Sequence, residues 1–340
     1  MHSAGLRELD VNSLPTSNLD YGQLAARLGT STIAQTSSVV SPGAAAQAQL
    51  DAYRASFTAS YNVGGTVVHA STQFRMVGGF NDSAAGSMGP QGFQANSARA
   101  QELFAICARA HVAGAMHCVL GCPTAGEITR VTQALIDAGK LPPGSASLES
   151  RIKTMQWQWG IGVDCTDYVL GGALRASGKS ESQVRFGTLP SPGVDYFAQA
   201  DTNPHLRKVG IASARPGDVV TLDAPRVPGQ QPDVGHRAIV YSNTVCDAAK
   251  LSALSSQYGS AVTAFAAGGP VRLLEMDASW SAGMFGGDFG GVRRDTWLYN
   301  ESTQQWAQIN QRVSPPTQPK FEVTPNGPAN DVFHGVYRFQ

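Results

Sequence analysis

Helical periodicity in the first half of this chain gives way to short alternating runs in the second, and that order constrains the fold more than any other feature. Ala44–Tyr61 can run as a helix. In Ser97–Val119, Leu103, Ile106, Ala110 and Ala113 recur at helical spacing behind a capping Ser97. In Thr124–Ala138, Thr124 and Glu127 form a capping box. Ile128, Val131, Leu135 and Ile136 make the apolar face, and Gly139 ends the run. Two further helices are predicted over Ser147–Gln158 and from Cys165 to Gly178. Beyond Pro190 the signal changes to strands at Asp218–Leu222, Arg237–Ser242, Val271–Asp277 and Arg293–Tyr299, the first entered through a Pro216-Gly217 turn. A helical Ala- and Ser-rich insert, Ala248–Ala267, separates two of them. Helices followed by antiparallel strands specify an α+β fold.

Composition narrows the class further. The 37 Gly and 19 Pro among 340 residues exclude a coiled coil. Twenty-five basic and 25 acidic residues cancel, and no run of one sign stands out. Bulk nucleic-acid binding, which needs clustered Lys and Arg, is therefore not expected. No apolar stretch reaches the roughly 18–20 residues of a membrane span. Four segments are predicted: a weakly ordered arm over 1–43, a mainly helical domain over 44–143, a second domain over 147–312, and a Pro-rich extension over 313–340. Val77–Gly92, with five glycines, reads as a long loop. Residues 1–30 lack an apolar signal core, so no signal peptide is expected.

Five cysteines in 340 residues are no disulfide scaffold, and their odd number leaves one thiol unpaired within the chain. His111, His117, Cys118 and Cys122 cluster in sequence, but the C-x₃-C spacing has no second pair to complete a zinc site. Packed thiols or a local disulfide is the expectation, and no metal or other cofactor is assigned. Cys165 is different. It follows a Gly-containing loop, Trp157-Gln158-Trp159-Gly160-Ile161-Gly162-Val163-Asp164, at the expected start of a helix. Free main-chain N–H groups and the helix dipole stabilise a thiolate there, and the same N–H groups can hold an oxyanion. A nucleophile of this kind needs a base and a group to orient it. His236 opens a strand 236 − 165 = 71 residues later, beside Gly235, which removes side-chain bulk. On the strand from Val271, alternation places Glu275, Asp277 and Ser279 on one face; Asp277 is the best orienter, with Ser279 and Glu275 in reserve.

Trp159-Gly160, Asp164-Cys165-Thr166, Pro216-Gly217-Asp218 and Gly235-His236, in that order, resemble the signature of NlpC-type cell-wall peptidases and the related CHAP amidases. The resemblance covers roughly Leu148–Tyr299. It implies a papain-like fold, with a Cys-bearing helix packed on a His-bearing antiparallel sheet, and hydrolysis of amide bonds in peptidoglycan stem peptides. It makes Cys165 the nucleophile, His236 the base and Asp277 the third member, where the family usually has His. Trp157, Gln158, Trp159, Asp164, Asp167, Gly235 and Ser279 are the expected substrate-contacting set. Thr166-Asp167 replaces the family's Ser-Gly, and Arg237-Ala238 its Val-Gly. Without a signal peptide, an enzyme of this type is expected to leave by a specialised secretion machine and act in the periplasm or cell wall as an antibacterial toxin. Its further partners would be an immunity protein or a component of that machine. The same residues also suit a deamidase or acyltransferase acting on a protein side chain, or a non-enzymatic cell-wall binding module.

Overall fold

The computed structural model describes residues 42–73, 98–190, 195–223, 235–280, 290–310, 320–324 and 332–340. All belong to one compact unit, Ser41–Gln340. Residues 1–41 of the predicted arm (1–43) and the Gly-rich stretch Val77–Gly92 lie outside the described residues, and the last two residues of that arm open the first helix. Helices and antiparallel sheet make the protein α+β, and no helix among the described residues is long and apolar enough to cross a membrane.

Helix α1 (Pro42–Ser56) leads into a hairpin, β1 (Thr58–Val63) and β2 (Thr66–Ser71). The predicted helix to Tyr61 overshoots because Leu50, Tyr53, Phe57 and Tyr61 keep a helical period across the break. The chain instead turns at Gly64-Gly65, both in the left-handed region (φ 58° and 88°), where the Gly65 N–H donates to Asn62 Oδ1 at 2.9 Å. The predicted Ser97–Val119 helix is two: α2 (Ala98–Arg109) and α3 (Ala115–Val119), broken by His111 and Gly114 at positive φ. Helix α4 (Ala125–Asp137) carries the expected capping box of Thr124 and Glu127, followed by α5 (Leu148–Gln158) and α6 (Cys165–Ser177).

Among the described residues the large sheet holds eight strands. These are β3 (Leu206–Val209), β4 (Val219–Asp223), β5 (His236–Val245), β6 (Val271–Trp280), β7 (Gly291–Asn300), β8 (Trp306–Asn310), β9 (Lys320–Thr324) and β10 (Val332–Phe339). Their order is β3-β10-β4-β5-β6-β7-β8-β9, antiparallel throughout. The Ala-rich insert is α7 (Ala248–Tyr258) and α8 (Ser260–Ala266). The expectation of a C-terminal extension over 313–340 needs correction: β9 and β10 are sheet strands. Phe333, Tyr337 and Phe339 give β10 its packing surface.

Side-chain alternation gives the two sheet faces different cores. On one face Val219, Ile239 and Tyr337 join residues of α1 to α6, including Leu50, Leu103, Val131 and Tyr168. A cut at 143–147 therefore separates no second core. Helix α6 approaches this face closely: a side chain at Gly172 would run into Ile239, and one at Gly171 into Tyr53. On the other face Trp280, Trp297 and Trp306 are fully buried with Val220, Leu222, Ala238, Val240 and Met276. Trp306 of β8 and Phe333 of β10 have ring centroids 5.3 Å apart although their strands are far apart in the order. The sheet therefore curls, with tryptophans filling its inside and helices covering its outside.

Candidate active site

The loop before α6 is pinned from three directions. The Val163 N–H donates to Gln73 O (3.1 Å), the Asp164 N–H donates to Gly121 O (2.8 Å), and Ser279 Oγ donates to Val163 O (2.7 Å). Gly160, at φ 61°, supplies the left-handed turn that ends α5. Asp164 caps α6 by accepting the Thr166 N–H at 2.8 Å, a carboxylate where the helix dipole favours one. Cys165 is thus the first residue of a capped 13-residue helix packed on β5 and β6.

The thiol is buried, and burial is the main cause that pushes its pKa well above the usual range. The carboxylates of Asp164 and Asp195 push the same way. Against them act the Arg237 guanidinium and the Arg237 main-chain N–H, which faces the sulfur. In this state Cys165 is a neutral thiol at pH 7.

The structure does not bring His236 to Cys165. Pairing sets Arg237 and Ile239 on the α6 face, so His236, Ala238 and Val240 point into the tryptophan core. The imidazole lies on Trp280 with ring centroids 4.5 Å apart, and its Nε2 is buried with no hydrogen-bond partner among the described residues. Burial first, then the charges of Arg237 and Arg293, pull its pKa down to about 3. It is a neutral ring on the far side of the strand.

Asp277 does not orient His236 either. It pairs with Ile239, three positions along from His236, and an odd offset places two strand residues on opposite faces. Its carboxylate is fully buried and accepts two bonds from Arg294, Nε to Oδ1 at 2.7 Å and Nη2 to Oδ2 at 2.9 Å, with Arg54 at 3.9 Å. Ser279 holds the α6 loop, and Glu275 accepts from Ser242 Oγ at 2.7 Å.

The expected substrate-contacting residues also have local structural roles. Trp159 is buried between Arg99 and Lys140, whose cationic groups lie 5.9 Å and 5.7 Å from its ring centre. Trp157 is half-buried, and Gln158 O accepts from Arg99 Nη1 at 3.0 Å. Gly235 lies against the Leu222 carbonyl, where a side chain would collide with main chain. Asp218 of the Pro-Gly-Asp turn accepts a bidentate pair from Arg338 of β10. All five cysteines are free thiols, and no group of His, Cys, Asp and Glu among the described residues could hold a metal ion. His117 instead bonds Glu127 at 2.8 Å.

Asp167 behaves unusually. Burial, then Asp164, Asp195 and Glu181, raise its pKa from 3.8 to about 8. Between those values the folded chain keeps a proton that the unfolded chain has released, so this group lowers stability progressively as pH rises through that window. Asp167→Asn is expected to stabilise the fold, the gain growing by at most about 1.4 kcal/mol per pH unit across the window. Urea unfolding at about pH 5 and about pH 8 checks this; a gain that does not grow with pH would show that Asp167 ionises normally.

The residue that sequence reasoning overlooked is Arg237. It is buried on the α6 face, Nη2 donating to Asp195 Oδ2 at 2.7 Å and Nη1 to the main-chain oxygens of Leu222 and His236. The signal was its place one position after His236: if one of the two faces inward, the other faces outward. No family model, curated protein or solved structure matches this chain.

Proposed function

We propose that the protein is a cysteine-dependent amide hydrolase of papain-like type, acting on peptidoglycan stem peptides with Cys165 as nucleophile. The observation that carries this reading is the placement of Cys165. It is the first residue of a capped helix, laid on an antiparallel sheet, with a main-chain N–H of the adjoining strand facing its sulfur. Attack by the thiolate gives a thioester, which water then hydrolyses; the Cys165 N–H at the helix start is the oxyanion donor. For His236 to act as base, the start of β5 would have to turn its imidazole to the α6 face. In this reading the protein is an exported antibacterial effector of the periplasm or cell wall, countered in its producer by an immunity protein.

The test is digestion of purified sacculi by wild type beside Cys165→Ala, read by liquid chromatography and mass spectrometry. New muropeptides from wild type, reduced at least a hundredfold (on the order of 10² or more) in the variant, are expected. An unchanged profile from folded protein would move the assignment to a deamidase or acyltransferase working on a protein side chain.

A second reading, a non-catalytic module that binds cell-wall peptide, is favoured by the burial of His236 against Trp280. Sacculus binding and biological effect both retained by Cys165→Ala would select it.

A further inference from the structure

Two residues at the start of β5 compete for the role of partner to Cys165, and the strand can present only one of them to α6. Arg237 holds that side. Ile239, on the same face two residues on, packs where α6 has Gly172, so the seat of Arg237 lies toward the N-terminal end of the helix. The guanidinium is clamped: Asp195 takes one end at 2.7 Å, and two main-chain oxygens take the other. Its Nε is buried and has no hydrogen-bond partner among the described residues. Among the described residues, the charged groups that act most on the sulfur are Asp164 from the helix cap, Asp195 from the loop before β3, and Arg237, the cation among these three. Asp167 and Glu181 lie in the same acidic neighbourhood.

We propose that Arg237, held by Asp195, is the positioning residue that stabilises the Cys165 thiolate, the electrostatic part which a protonated histidine would otherwise play. Arginine suits that place because it stays charged when buried, whereas an imidazole there would lose its proton. The proposal rests on Cys165 being the nucleophile. Asp195 then has a double effect: it fixes the guanidinium, and its own charge adds to the burial and the Asp164 carboxylate that together hold the sulfur protonated.

The test reads the protonation of Cys165 directly, from the Cβ chemical shift of carbon-13-labelled cysteine, assigned with Cys165→Ser. Arg237→Gln alone would leave Asp195 as a part-buried charge without its cation. Asp195→Asn is therefore compared with the double variant Asp195→Asn/Arg237→Gln, in which neither partner is left charged and alone. Removing the arginine charge is expected to raise the titration midpoint by about one unit, a tenfold loss of thiolate at fixed pH. Arg237→Lys should restore most of it, which a purely structural role would not require. Coincident midpoints for the Asn variant and the double variant would overturn the proposal. So would a rise of the same size in His236→Ala. Titration needs no substrate, so a failed sacculus digestion leaves this result standing, and a failed titration leaves the hydrolase assay to be judged alone.

Discussion

Asp277→Ala is expected to cost about 3–5 kcal/mol of folding stability, the range for removing one partner of a buried ion pair. The cost arises from what is left behind. Arg294 loses both of its charge-assisted bonds to the carboxylate, and Arg54 loses its nearest buried anion. Asp51 at the end of this network also accepts from Arg294, but it is half exposed and cannot replace a fully buried carboxylate. The network joins α1 to β6 and β7, so the loss loosens the first helix as well as the sheet. Denaturant unfolding measures it, with Asp277→Asn expected to lose less because it keeps the shape and one acceptor. A variant as stable as wild type but catalytically dead would instead return Asp277 to the catalytic machinery.

Gly235→Ala is the second large effect. The added methyl would fall on the Leu222 carbonyl and the adjoining main chain of β4, which have no rotamer by which to yield. Strands β4 and β5 must separate at the point where His236 and Arg237 begin their pairing. A loss of about 3 kcal/mol is expected, at the upper end for overpacking. The thiol environment should change with it, because the Arg237 N–H and guanidinium move with the strand. Unfolding free energy together with the Cys165 titration tests this; a stable variant with an unmoved titration would mean that the strands tolerate the methyl without shifting.

Much of the framework is legible in the sequence, for identifiable reasons. The Gly-containing loop before Cys165 announces a helix start, Thr124 with Glu127 announces a capped one, and Pro216-Gly217 marks the entry to β4. The alternation from Val271 correctly groups Glu275, Asp277 and Ser279 on one face. What the sequence could not reveal was parity. Strand alternation states that His236 and Arg237 face opposite ways, but which of them meets α6 depends on where the helix lands. That is decided by the close fit of Gly172 on Ile239, a contact between residues 67 positions apart (239 − 172). The role of Asp277 was hidden likewise, because Arg54 and Arg294 reach it from distant elements. The β1–β2 hairpin was within reach, since two runs around Gly64-Gly65 read as a hairpin. A helical spacing of apolar residues extending to Tyr61 obscured it.

Strand β10 sits between β3 and β4, and its partners there are more than a hundred residues earlier in the chain. A ribosome delivers β3 and β4 long before the strand that separates them. Until then both have open edges, available to each other and to neighbouring chains. Folding must therefore wait for the far end of the polypeptide, a high-contact-order closure that is slow by nature. A chain stopped at residue 331 would lack this strand, together with the Arg338 that clamps Asp218. It would leave β4 unpaired on one side and prone to aggregate.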